Sequence, residues 1–175
     1  VAADDDDLIM AWVALVDWES DGDLDLLIGS FGGELFLRVN EGIRSKPVTS
    51  RNAETRDSVH QLPGSIHDPA WRKGLGLLQK YDFSWDLRVP FWHLGEISEV
   101  CRLYPDLPIV VEHTGLAWDR SEKGLEEWRS GMSMLADLPH LFLKISELGL
   151  ANSPWDYDLN RRVVREALEL FGFNR

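Results

Sequence analysis

The chain has a single cysteine, Cys101, which excludes an internal disulfide and any zinc cluster built on thiolates. Basic residues are scarce: 18 Lys and Arg against 30 Asp and Glu leave a formal net charge of −12 over 175 residues. Nucleic acid and anionic membrane surfaces reward clustered Lys and Arg, so neither is expected as a partner. No apolar run approaches the roughly 20 residues that cross a bilayer. No basic segment followed by an apolar one opens the chain. His-x-His pairs are absent as well. The chain starts at Val1 rather than methionine, and it stops at Arg175, directly after a helical pattern. Both ends are read as cuts.

What is present is apolar and aromatic. Hydrophobic residues make up 44% of the chain and eight are tryptophan, enough for a packed core and far more than a linker carries. Residues 1–50 read as β. Trp12 to Val16 and Leu24 to Ile28 are short strand-like runs, and Glu34 to Val39 alternates apolar with polar after the Gly32-Gly33 turn. Residues 51–65 read as a linker, with Lys46-Pro47 and Pro63-Gly64 at its margins. Beyond it the texture alternates. Asp68-Pro69 predicts an N-cap and a first-turn proline opening a helix that runs to about Tyr81. Phe83–Val89 reads as a strand, and Leu94, Ile97, Cys101 and Tyr104 give a second helical face. Ile109–Glu112 is the next strand, followed by a helix marked by Leu125, Trp128, Met132 and Leu135. The strand Leu141–Ile145 and a helix marked by Leu159, Val163, Ala167 and Phe171 complete the pattern. Three strands, each followed by a helix, predict βαβ units and a parallel sheet.

The segment Ile109-Val110-Val111-Glu112-His113-Thr114-Gly115 ends a buried strand abruptly on a histidine, a hydroxyl and a glycine. Parallel α/β proteins place chemistry at such strand ends. Side-chain alternation puts Ile109, Val111 and His113 on one face. An imidazole there serves as metal ligand or polar donor, or as a hydrogen-bonded structural group. Asp86 and Arg88 on the "SWDLRV" strand, and Lys144 and Ser146 on "LKIS", are substrate-facing candidates, with packing as the alternative. His60, His67, His93 and His140 show no metal-ligand spacing with one another, and His140 precedes a strand, the wrong end for catalysis.

Near the start, Asp17-Trp18-Glu19-Ser20-Asp21-Gly22-Asp23-Leu24-Asp25 alternates carboxylates around one glycine, a pattern suited to a hard, oxygen-seeking cation. With the following Leu-Leu-Ile-Gly-Ser-Phe-Gly-Gly it resembles the FG-GAP (VCBS-type) repeats of calcium-binding β-propellers. That resemblance implies a short antiparallel β segment of propeller-repeat type. It also implies calcium held by Asp17, Asp21 and Asp25, by the Asp23 carbonyl, and by Glu19 where the repeat usually has Asp. Asp4 to Asp7 reads as a solvated acidic tail.

Residues 66–175 carry "DPAWRKGLGLLQKYDFSWDL", "LPIVVEHTG", "WRSGMSMLADLPHLFLKISELG" and "ALELFGFNR" in that order. Together these resemble the amidohydrolase-related TIM-barrel hydrolases, relatives of lactonases and decarboxylases. The resemblance implies an α/β fold, a partial (β/α)8 barrel of about three βα units. It implies hydrolysis of a lactone or similar carbonyl by water attack. His113 would then ligate a divalent metal, zinc or manganese, or contact the substrate carbonyl. Glu147 stands where the family commonly has glycine. The family's His-x-His pair and final-strand Asp have no counterpart here, so the chain alone is expected to be inactive. Gly42-Ile43-Arg44 matches the family's "GIR" strand end but also continues the repeat, and the repeat reading is preferred. The expected partner is a small-molecule substrate, with self-association through open sheet edges. The hydrolase part implies a cytoplasmic setting, the repeat part an exported one.

Overall fold

The computed structural model describes the backbone of residues 10–16, 25–30 and 35–38 and, with side chains, residues 42–175. The described residues fall into two compact units, divided between Glu41 and Gly42. In the first, β1 (Met10–Val16), β2 (Asp25–Ser30) and β3 (Leu35–Arg38) form an antiparallel sheet in the order β1-β2-β3. Val16 pairs with Asp25 and Leu27 with Leu37, so sequential strands are neighbours, as the alternating runs predicted. Asp17, Glu19, Asp21 and Asp23 lie outside the described residues, as does the Asp25 side chain.

The second unit is a parallel sheet, β4 (Gly42–Ser45), β5 (Ser84–Leu87), β6 (Ile109–Val111) and β7 (Leu141–Leu143), in sequential order. Each strand is followed by a helix: α1 (Pro69–Lys80), α2 (Leu94–Cys101), α3 (Glu122–Ala136) and α4 (Tyr157–Phe171). Four βα units are therefore present among the described residues, not three. The additional strand contains Gly42-Ile43-Arg44, which pairs in parallel with β5 through Ile43–Trp85 and Arg44–Asp86. The preference for reading it as part of the N-terminal repeat is overturned. A four-residue strand has too few side chains to show its partner by pattern alone.

In-register positions share a face of a parallel sheet. Trp85, Leu87, Ile109, Val111 and Leu141 point to the helices and are fully buried there, packing with Leu94, Ile97, Leu125, Trp128, Met132, Val163 and Ala167. α3 approaches α2 closely at Gly131, where a Cβ would lie 2.6 Å from the Leu94 Cβ. Helix starts follow their caps. Asp68 accepts from Ala70 N–H at 2.8 Å and from Gly64 N–H at 2.7 Å, and these two bonds hold its carboxyl below the usual range. Ser121 and Asp156 cap α3 and α4 in the same way. α2 ends at Cys101, short of Tyr104, whose hydroxyl instead donates to the Arg72 carbonyl at 2.6 Å.

Residues 51–65, expected as a linker, are part of the second unit. Ala53–Val59 form a 3-10 helix capped by Asn52, Val48 bridges Ser65, and Val59 is buried. The buried Ser50 receives the indole N–H of Trp92 at 3.0 Å, and its own backbone N–H donates to His93 Nε2 at 3.2 Å. His140, read as structural, lies 3.2 Å from the Cys101 carbonyl through Nε2.

Candidate active site

The sheet face opposite the helices is polar toward its carboxyl end. Arg44, Asp86, Val110 and Phe142 lie in register across it, and the period of two places Glu112 and Lys144 one step further on. The Glu112 side chain is fully buried. Its Oε1 receives Arg44 Nη2 at 2.6 Å and Lys144 Nζ at 3.4 Å, while Oε2 has no hydrogen-bond partner. Arg44 Nη2 also stands 3.9 Å from Asp86 Oδ2. A carboxylate removed from water is tolerated only with such compensation, and here two cations share the task.

His113 reaches this face by a backbone reversal. The strand stops at Val111, and Glu112–Gly115 form a 3-10 turn with His113 at φ 56° and Thr114 at φ 55°. Gly115 at 64° and Leu116 at 47° extend the left-handed run. The expectation that His113 shares a face with Ile109 and Val111 fails, because alternation holds only while the backbone stays extended. Each non-glycine residue in this region costs about 1–2 kcal/mol. The run is held by Thr114 N–H to the Lys144 carbonyl at 3.0 Å, Lys144 N–H to the Val111 carbonyl at 2.9 Å and the Trp128 indole N–H to the Thr114 carbonyl at 2.8 Å. Thr114 Oγ1 donates to the Ser146 carbonyl at 3.1 Å. Backbone strain of this kind persists where the surroundings over-determine it, most often at functional sites.

The His113 ring is hydrogen-bonded at Nδ1 and stands beside two carboxylates at Nε2. Nδ1 lies 3.0 Å from Ser146 Oγ, and Nε2 lies 3.2 Å from Glu147 Oε2 and 3.7 Å from Glu112 Oε2. Glu147 Oε1 accepts from Arg88 Nη2 at 3.4 Å, and the Arg88 guanidinium stands 5.9 Å over the Trp118 ring. Glu147 itself has φ 51°, a conformation that favours glycine. Asp86, Arg88, His113, Lys144 and Ser146 thus fall in one connected network. Sequence reading gave no site role to Arg44, Glu112 or Glu147. Glu112 was read as the last strand residue, and only the register shows it facing Arg44 and Lys144.

The arrangement does not complete a divalent-metal site from this chain's residues. Glu112 already compensates two cations, and Glu147 is shared between Arg88 and His113. Among the described residues, the His, Cys, Asp and Glu side chains that bring three ligand atoms within 4.8 Å of one another are His60, His67 and Glu96, away from this network.

Four parallel βα units with an imidazole, carboxylates and guanidinium groups at the strand ends put this network where parallel α/β proteins carry their chemistry. The amidohydrolase family model matches residues 46–175, and the chain belongs to that family. The match includes the former linker. The chain is 37% identical over 113 residues to an uncharacterised protein of Sinorhizobium fredii, covering 65% of this chain and 38% of that one. It is 27% identical over 157 residues to L-fucono-1,5-lactonase of Burkholderia multivorans, covering 77% of this chain and 53% of the lactonase. The chain therefore spans about half or less of the length of these curated relatives. A zinc-bound crystal structure of an amidohydrolase from Burkholderia multivorans is 27% identical, with a TM-score of 0.54 over 61% of this chain and 40% of that one. The family is generally dependent on a divalent metal.

Proposed function

We propose that this end of the sheet binds a small lactone or similar carbonyl substrate carrying a carboxylate. The observation that carries the reading is the His113–Ser146–Glu147–Arg88 constellation at the ends of parallel strands in an amidohydrolase-family chain. With Ser146 Oγ–H donating to Nδ1, Nε2 holds the imidazole proton and donates it as a hydrogen bond to the substrate carbonyl. Arg88, set over Trp118, receives the carboxylate, and Arg44 with Lys144 compensates the buried charge of Glu112. Hydrolysis further needs a group that activates water. Glu112 and Glu147 are both paired with cations, and the sequence has no His-x-His pair. The chain by itself is therefore proposed to bind such substrates without turning them over.

The test is a panel of sugar-acid lactones and pyrone dicarboxylates, followed both by tryptophan fluorescence and by acid release, with and without zinc or manganese. Saturable quenching that His113→Ala weakens at least tenfold, without acid release, is the expected result. Absence of binding refutes the substrate reading, and turnover with or without added metal refutes the inactivity.

A second reading concerns the N-terminal unit. The carboxylates that alternate from Asp17 to Asp25 around Gly22 support the proposal that this segment takes calcium. Ligand binding to the folded form raises stability by about 2.7 kcal/mol at one hundred times Kd. The melting temperature of the full chain is therefore expected to rise in millimolar calcium and not in magnesium; an unchanged value would remove the proposal.

A further inference from the structure

The excursion between β4 and α1 and the first turn of α2 bring three imidazoles around one carboxylate, at a place that shares no residue with the His113 network. Glu96 Oε2 lies 3.3 Å from His60 Nε2, 3.5 Å from His67 Nε2 and 3.3 Å from His93 Nδ1. The His60 and His67 rings are 4.1 Å apart. His60 Nε2 is buried and makes no hydrogen bond despite its closeness to the carboxylate. In a simple ion pair the N–H would point at the oxygen. A nitrogen that stands near a carboxylate without pointing at it is placed to share a third atom with it.

The distances fit that third atom. Ligand bonds of about 2.0–2.1 Å in a tetrahedron put neighbouring ligand atoms about 3.3–3.4 Å apart. The contacts from Glu96 to His60 and His67, at 3.3 and 3.5 Å, are close to this length. His93 belongs to the supporting layer. Its Nε2 accepts the Ser50 backbone N–H, so the ring proton sits on Nδ1 and is donated to Glu96. A ligating carboxylate oriented by a hydrogen bond is the usual support of a metal site. Asp57 Oδ1 lies 3.6 Å from His60 Nε2, at the edge of the cluster. A depression of about 610 Å³, lined in part by Asp57, Trp92 and Glu96, adjoins the cluster on the Glu96 side.

We propose that His60, His67 and Glu96 form a binding site for a zinc-type divalent transition cation, with His93 as the positioning residue of Glu96. Two imidazoles and one carboxylate suit zinc better than calcium or magnesium, which seek oxygen. The bound ion ties the 46–68 excursion to α2, a staple that three residues scattered over 37 positions gain only in the folded state.

The experiment strips the full chain with a chelator, adds one to three equivalents of zinc, desalts it and measures bound metal by elemental analysis. Cobalt then serves as a spectroscopic probe. About one zinc per chain, a raised melting temperature and tetrahedral-type visible cobalt bands are expected. His60→Gln combined with His67→Gln removes all three signals. His67→Gln alone changes the most exposed of the three ligands, and it weakens zinc at least tenfold while its far-UV spectrum remains that of the parent chain. His113→Gln retains the zinc. Less than a tenth of an equivalent in the parent chain overturns the proposal. So does zinc kept by the double variant or lost in His113→Gln.

Discussion

Replacing Arg44 by methionine removes one of the two cations that compensate Glu112 while keeping a side chain of similar length. The carboxylate is fully buried and Arg44 is its nearer partner, at 2.6 Å against 3.4 Å for Lys144. Taking away the sole partner of a buried charge costs about 3–5 kcal/mol, whereas an exposed pair is worth about 0–1 kcal/mol. Arg44 is more than half exposed and Lys144 remains, so the expected cost lies between these limits, at about 2 kcal/mol. With a urea m-value of about 1–3 kcal/mol/M, the midpoint falls by about 1 M. Adding Lys144→Met leaves the carboxylate alone and brings the total toward about 4 kcal/mol. The control is Glu112→Gln, after which Arg44→Met becomes nearly silent, giving a coupling energy of about 1–2 kcal/mol. The assay is urea unfolding at pH 7 of the four chains of the cycle. A cost for Arg44→Met below about 0.5 kcal/mol, or strict additivity with Glu112→Gln, refutes the view that Glu112 is a buried charge held by these two cations.

Gly131→Ala sets a Cβ 2.6 Å from that of Leu94 and is expected to destabilise by about 1–3 kcal/mol in thermal unfolding, with Leu94→Ala in the same chain recovering part of the loss. Burial pushes the Cys101 thiol up to about 12, so a thiol reagent at pH 8 should label the native chain only at the rate at which it opens, and promptly in urea; fast labelling of the native chain refutes its burial.

The periodic helices were readable because each buries a face wide enough to mark the sequence. Leu125, Trp128, Met132 and Leu135 recur at helical spacing and all four are buried. The Asp68 cap was legible as well, whereas the caps Ser121 and Asp156 came to light only in the structure. The strand-end location of His113 was readable for the same reason, since an apolar run that stops on polar residues has one natural place in a parallel sheet. Its orientation was not. Four consecutive left-handed residues leave no composition signal when only one of them is glycine.

The amino-acid sequence by itself determined the alternation of strand and helix, the acidic balance and the family resemblance, because these depend on local spacing and residue type. Only the tertiary structure decided that Gly42–Ser45 joins the parallel sheet and that Arg44, Glu112 and Glu147 complete the network around His113. It likewise decided that His60, His67 and Glu96, which have no ligand spacing along the chain, meet within 4.8 Å. Pairing across a sheet and convergence of loops relate residues distant in sequence, and no local period records them.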